Sequence, residues 1–156
     1  MNPKHLKVRI AQCDLIASSS PCGRRKVGAL IIDPESNVVI SEGYNGTPRG
    51  SSSDLCGGAS CLREGLSIKS GTQNDVGCIH AEQNAIYNAA RTGNSTMGKW
   101  MITNCDPCLM CAKAIHQSGI VRVYLPLDEQ VHIAGVEFLR TNRVTLIKLN
   151  NPERAK

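Results

Sequence analysis

The sequence is poor in aromatic side chains, with five in 156 residues: Tyr44, Tyr87, Trp100, Tyr124 and Phe138. They are too few and too scattered to form a base-stacking platform, so a nucleic-acid partner is not expected. No uninterrupted apolar run approaches the ~18 residues of a membrane span, and no membrane partner is expected either. The apolar stretch near the N-terminus is broken by Arg9, Gln12 and Asp14, the wrong pattern for a signal peptide. Internal repeats and low-complexity tracts are missing too. What remains is the organisation of one domain over residues 1–150, with a polar tail at 151–156. A chain of this size buries about 68–70% of its unfolded surface, enough for a core without disulfides. A hydrophobic fraction of 41% and a charged fraction of 20% exclude a largely disordered chain. The net charge of +5 permits an anionic partner without naming one.

Cysteine, by contrast, is abundant, with eight residues. Without an export signal the expected compartment is the cytoplasm, where thiols stay reduced. Reduced, clustered cysteines read as metal ligands before they read as disulfides.

Hydrophobic periodicity outlines the elements. Leu6, Ile10, Cys13 and Ala17 lie at helical spacing, so residues 5–19 read as a helix stopped by Ser18, Ser19, Ser20 and Pro21. Residues 27–32 form a run of strand length, Asp33-Pro34 turns the chain, and residues 38–40 pair back as a second strand. A glycine-rich loop follows over residues 43–50. The stretch 51–77 has no clear period and is too long for a casual loop, so something must hold it. Ala81, Ala85, Ile86 and Ala89 predict a helix from His80 to Gly93. Further on, residues 100–102 read as a strand, 108–117 as a helix, 120–125 as a strand, 129–140 as a helix and 144–149 as a last strand. Strands alternating with helices predict an α/β sandwich on a mixed sheet.

The chemistry is concentrated in two words, His80-Ala81-Glu82 and Pro107-Cys108-Leu109-Met110-Cys111. Two cysteines three apart on one helical turn can turn both thiolates toward one ion. His80, at the start of another helix, supplies a third ligand. One His and two Cys leave a tetrahedral zinc with one open position for water, the catalytic arrangement. Zinc lowers the pKa of that water from about 15.7 to about 7, which makes it a nucleophile able to attack C4 of a cytosine ring. A carboxylate must then shuttle protons to N3 and to the leaving amine, and Glu82 lies two residues from His80. A lone Cys-x-x-Cys is often structural zinc or a redox pair, and a lone His-x-Glu says little. Together, in this order, they form the signature of zinc nucleobase deaminases. Cys105, Cys108 and Cys111 also spell C-x2-C-x2-C, but an iron–sulfur run would continue with Cys-Pro where Ile115 and His116 stand. Cys105 therefore reads as a buried neighbour of the site. His5, His116 and His132 have no ligand-like neighbours in sequence and read as surface or helix-face residues.

Cys22, Cys56, Cys61 and Cys78 make a second set. Four thiolates could close a structural zinc site with no open position, pinning the long segment to the core. They could equally be four small buried hydrophobes, and spacing does not separate the two. Cys13 lies in the apolar stripe of the first helix and reads as packing.

Three segments together resemble deoxycytidylate (dCMP) deaminases: residues 80–86, Thr103 with residues 106–115, and the loop 43–50. Cys61-Leu62-Arg63-Glu64 and its spacing to Cys78 resemble the bacterial and phage-type members. The resemblance covers residues 5–125. It implies a cytidine-deaminase-like three-layer αβα sandwich with a central mixed five-stranded sheet, and hydrolysis of dCMP to dUMP and ammonia in supply of dTTP synthesis. It implies catalytic zinc on His80, Cys108 and Cys111, proton transfer by Glu82, and a second, structural zinc on Cys22, Cys56, Cys61 and Cys78. It further implies a homohexamer activated by dCTP and inhibited by dTTP, with Mg²⁺ accompanying the triphosphate. Gly43, Tyr44, Asn45, Gly46 and Ala81 are the candidate nucleotide contacts, with Asn45 on the deoxyribose. Arg24, Arg25 and Lys26 are candidate phosphate contacts, against a solvated face as the alternative. Some phage-type members carry a substrate-contacting Tyr soon after the fourth strand; Leu125-Pro126-Leu127-Asp128 has none. The competing functions are deamination of free cytidine or deoxycytidine, deamination of a base within a polynucleotide, and a zinc-stabilised module without chemistry.

Overall fold

The computed structural model describes residues 1–51, 55–56, 61–69, 72, 74, 76–127 and 132–149. The first helix, α1, spans Pro3–Ser18. Asn2 caps it by accepting a hydrogen bond from the Lys4 N–H at 2.9 Å, and Pro3 fits the first helical position because its fixed φ is already helical. Strands β1 (Gly28–Ile32), β2 (Val39–Tyr44), β3 (Trp100–Thr103), β4 (Arg122–Leu125) and β5 (Thr145–Lys148) make one five-stranded sheet in the order β2-β1-β3-β4-β5. β1 is antiparallel to β2 and β3, while β3, β4 and β5 run parallel, so the sheet is mixed. Helices α2 (Leu62–Gly65), α3 (Ala81–Arg91), α4 (Leu109–Gln117) and α5 (Ile133–Thr141) complete the described elements.

The sheet's two faces are read off by alternation along the strands. Ala29, Ile31, Met101, Val123 and Leu125 pack on one face with Ala85 and Ala89 of α3, Ile115 of α4 and Leu139 of α5. Leu30, Ile32, Ile102 and Tyr124 face the other way, onto Cys13, Leu6 and Ile16 of α1. Every residue of β1 is buried, which is why it reads as an unbroken apolar run. The expected three-layer α/β sandwich around a mixed five-stranded sheet is the observed one.

α1 lies directly on β1 because Gly28 has no side chain: a Cβ there would sit 2.4 Å from the Cys13 carbonyl oxygen. β2 runs further than its apolar core suggests. Gly43 and Tyr44, expected in a loop, pair with Ala29 and Gly28 inside the strand. A Cβ on Gly43 would meet the Ala85 nitrogen at 2.4 Å, so this glycine serves the close seat of α3 on the sheet. The last helix begins at Ile133; residues 129–131 of its expected span, and the tail 151–156, lie outside the described residues. The short helix α2, within the segment that shows no period, was not expected.

Candidate active site

Two helix starts converge on one point. His80 is the N-cap of α3, with extended backbone (φ −75°, ψ 156°), and Cys108 is the N-cap of α4 (φ −65°, ψ 168°). In each case the cap carbonyl accepts the first helical bond, from Asn84 N–H at 2.9 Å and from Ala112 N–H at 2.8 Å. The side chain of a cap residue is thereby free to leave the helix axis. Gln83 Oε1 also accepts the His80 N–H at 3.3 Å and steadies the turn. Cys111 follows in the first turn of α4, on the same side as Cys108.

The Sγ atoms of Cys108 and Cys111 lie 3.5 and 3.3 Å from His80 Nδ1, and all three ligand atoms fall within 4.8 Å of one another. A tetrahedral zinc with Zn–S of ~2.3 Å and Zn–N of ~2.05 Å separates S from N by roughly 3.6 Å. The observed spacings and the donor chemistry fit that ion. Among the described residues, no other trio of His, Cys, Asp or Glu meets this closeness.

The three side chains are electrostatically coupled. The hydrogen bond from Cys111, then that from His80, pulls the Cys108 thiol down to about 4, against its burial. The same bond to Cys108, together with burial, keeps Cys111 protonated. Cys108 in turn draws the His80 pKa upward. Two thiols and an imidazole thus share protons that a metal ion would displace. Glu82, the second residue of α3, is buried at 3% exposure, and burial pushes its carboxyl above the usual carboxylate range. A carboxyl raised in this way holds a proton more readily than an exposed one and is suited to taking and handing on protons.

Residues 4–127 match the family described as the cytidine and deoxycytidylate deaminase zinc-binding region. The chain belongs to this deaminase family. It is 39% identical over 142 residues to a deoxycytidylate deaminase of Schizosaccharomyces pombe, covering 89% of this chain and 42% of that one. The chain thus spans less than half the length of that relative. It is 33% identical to the deoxycytidylate deaminase of Enterobacteria phage T4, covering 87% of this chain and 89% of the phage protein. The structure resembles that of dCMP deaminase from the cyanophage S-TIM5, determined in complex with dCMP and dUMP. The TM-score is 0.74 at 27% identity, covering 96% of this chain and 99% of that one.

His80, Cys108 and Glu82 line a cleft that leaves about 90 Å³ for water-sized occupants. Ala81, Asn45, Arg24 and Arg25 line it. Asn45 is almost fully buried: its Oδ1 accepts the Val27 N–H at 2.8 Å and its Nδ2 donates to the Arg25 carbonyl at 2.9 Å, leaving one N–H of the amide for a ligand. Lys26, Gly43, Tyr44 and Gly46 are not brought into the cleft. Lys26 Nζ donates to the Ser18 carbonyl at 3.0 Å, the Tyr44 carbonyl accepts from Asn84, and Gly46 bridges Ile79.

Cys22, Cys56, Cys61 and Cys78 all line the same cleft, but no three of their sulfurs lie within 4.8 Å of one another, so the structure does not bring the second set to metal-ligand spacing. Burial, then the neighbouring thiols of Cys78 and Cys22, pushes Cys56 up to about 12. Cys105 is buried beside the site, as expected, and burial lifts its thiol to about 12 as well.

His132 and Arg63 are among the cleft residues that escaped sequence reasoning. His132, read as a surface residue, is half-buried in the cleft wall at the N-cap of α5, in left-handed backbone (φ 57°). Burial lowers its pKa. No sequence signal marks it, because its approach depends on how α5 packs. Arg63 of α2 also lines the cleft. It stands beside Cys61, and that proximity to a candidate ligand was the available hint.

Proposed function

We propose that this chain hydrolyses dCMP to dUMP and ammonia. The observation that carries the reading is Glu82: a buried carboxyl one helical turn from a His/Cys/Cys trio whose spacing fits tetrahedral zinc with a fourth position open. His80, Cys108 and Cys111 would hold the ion, which when bound supplies an acidified water as nucleophile at C4. Glu82 would accept one proton of the attacking water and deliver it to N3 of the pyrimidine, then take the water's other proton and pass it to the amino nitrogen, which departs as ammonia. Ala81, at the first position of α3 and in the cleft lining, would pack against the ring. Asn45, fixed by two backbone partners, offers its remaining N–H to the deoxyribose. Arg24 and Arg25 meet the 5′-phosphate at the mouth.

A second, structural zinc on Cys22, Cys56, Cys61 and Cys78 is part of the same reading. It is supported by the four cysteines sharing one cleft lining and by the thiols of Cys78, Cys22 and Cys61 lying near enough to Cys56 to act on it. The wider role is supply of dUMP for dTTP synthesis, in a cytoplasmic homohexamer activated by dCTP and inhibited by dTTP with Mg²⁺. No described helix is long and apolar enough to cross a membrane.

The decisive assay sets dCMP, deoxycytidine, cytidine and a short oligonucleotide side by side, with and without dCTP and dTTP. Turnover of dCMP above the others is expected; its absence refutes the assignment. Glu82→Gln should retain zinc and fold while losing about 10²- to 10⁴-fold in turnover, the range for a general acid–base group. Retained activity would remove Glu82 from the mechanism.

A further inference from the structure

Asparagine is a poor helix former, yet α3 carries two, Asn84 and Asn88, one turn apart. Their partners explain them. β2 is an edge of the sheet, so the carbonyls on its outer side have no neighbouring strand to bond. Asn84 Nδ2 donates to the Tyr44 carbonyl at 2.9 Å, and Asn88 Nδ2 donates to the Glu42 carbonyl at 2.8 Å. Four residues of helix rise about 6.0 Å and two residues of strand about 6.7 Å, so the spacings nearly match and α3 is stitched antiparallel along the strand. Asn94, just past the helix, repeats the contact on the Ile40 carbonyl at 3.3 Å. The close seat at Gly43 sets how near α3 lies to the strand; these bonds set its register along it.

Of the three asparagines, Asn84 alone also bonds a residue of the site. Its backbone N–H donates to the His80 carbonyl at 2.9 Å, and Glu82 lies two residues before it. At the other end of its side-chain bond, Tyr44 is followed by Asn45, which lines the cleft. Gly46, on the far side of Asn45, exchanges two bonds with Ile79, the residue before His80: Gly46 N–H to the Ile79 carbonyl at 3.1 Å and Ile79 N–H to the Gly46 carbonyl at 2.9 Å. Asn45 is therefore flanked on both sides by residues bound to the entry of α3. Its own side chain bonds a different segment, at Val27 and Arg25, and its carbonyl accepts the Ser20 Oγ–H at 2.7 Å. None of those three bonds involves α3. The placement of the Asn45 amide relative to His80 and Glu82 runs through the contacts at Tyr44 and Gly46, and Asn84 supplies the side chain among them.

We infer that Asn84 is a positioning residue: by joining the carbonyls of His80 and Tyr44 it holds the cleft amide of Asn45 in register with the candidate zinc trio and Glu82. Asn88, which makes the same kind of bond one turn further on, only fastens the helix. The inference rests on the reading above in which Asn45 meets the sugar of the substrate.

The test is a double-mutant cycle of Asn84→Ala and Asn45→Ala, with Asn88→Ala as the comparison, each zinc-loaded protein assayed on dCMP. Alanine is the better helix former, so neither change on α3 weakens the helix itself. Asn84→Ala should lower kcat/KM by about 10-fold, chiefly through KM, because the displaced contact is one made alike in the ground and transition states. In the Asn45→Ala background the same change should matter by less than about twofold, since the group it positions is already gone. Asn88→Ala should lower Tm as much as Asn84→Ala does while keeping kcat/KM within about twofold of wild type. Hydrogen exchange read by mass spectrometry needs no turnover: the amides of residues 45–46 should exchange at least about threefold faster in Asn84→Ala and at the wild-type rate in Asn88→Ala. If Asn45→Ala does not fold, this exchange measurement decides in its place. Wild-type kcat/KM in Asn84→Ala overturns the inference, as does an equal loss in Asn88→Ala or the same loss in both Asn45 backgrounds. Failure of the dCMP assignment shows separately, as wild type without dCMP turnover; exchange at residues 45–46 then decides, and an unchanged rate in Asn84→Ala overturns the positioning role.

Discussion

Gly135 of α5 is the point at which a single methyl group should disable the site without unfolding the protein. A Cβ built there would lie 2.0 Å from the Pro107 carbonyl oxygen, 2.8 Å from the Cys108 carbonyl carbon and 3.0 Å from the Cys108 oxygen. Ordinary contact begins near 3.4 Å, so a separation of about 1.4 Å must open between α5 and the start of α4. The atoms in the way are backbone and cannot rotate aside. Overpacking of this kind costs about 1–3 kcal/mol, which at this chain length lowers Tm by roughly 2–12 °C. The site is far less tolerant, because functional constellations must be held to within about 0.5 Å. Cys108 Sγ now sits 3.5 Å from His80 Nδ1, close to the roughly 3.6 Å of tetrahedral zinc, and a shift of an ångström in its backbone would spoil that match. Gly135→Ala is therefore expected to lower zinc affinity by at least about 10-fold, as disturbance of a ligand's support does, and turnover with it. Zinc affinity is read by competition with a chromogenic chelator, turnover by ammonia release, and stability by thermal melting. Gly65→Ala, where a Cβ would meet nothing within 4 Å, is the control. A Gly135→Ala protein with wild-type zinc affinity and turnover would refute the claim that α5 braces the ligand loop.

Three further outcomes are expected. Elemental analysis should find about two zinc ions per chain, falling to about one in Cys56→Ser; one in wild type would return the second cysteine set to plain packing. Burial holds the Cys105 thiol up at about 12, above its ordinary 9.0, so the folded state keeps a proton that the unfolded chain releases. Stability should then be fully present below about pH 9 and fall as pH rises toward 12, by up to about 1.4 kcal/mol per unit, and Cys105→Ala should flatten that limb in denaturant titrations. An unchanged slope would show that the Cys105 thiol is not the group responsible. Lys99 donates to Asp33 at 2.9 Å and holds its carboxyl below the ordinary 3.8, so the pair's contribution is present above about pH 4 and is lost as pH falls through the lowered pKa. Asp33→Asn should remove that acid-side loss in melts between pH 5 and pH 2, and a wild-type acid limb in the variant would count against the pair.

What the sequence reveals about this chain is set by how local each feature is. α1, α3 and α4 were legible because each packs one apolar stripe on a sheet, and the stripe's period survives in the sequence whatever the partner. β1 was legible for the opposite reason: burial on both faces leaves an unbroken apolar run. The zinc trio was legible because two of its three ligands share one helical turn, and the third begins a helix two residues ahead of its carboxylate. β2 was cut short because Gly43 looks like a turn residue; its reason for being glycine is the α3 backbone pressing on it, a partner some forty positions away. His132 and Arg63 were illegible as cleft residues for the same reason. His132 reaches the site only through the packing of α5, which Gly135 permits, and Arg63 only through carbonyls and a glycine in a segment with no period of its own. The chemistry that makes the reaction possible is thus written in short words. The cleft lining around it is assembled from segments that are unremarkable when read one at a time, and so the reaction class is suggested by the sequence pattern while the cleft wall emerges only from the packing.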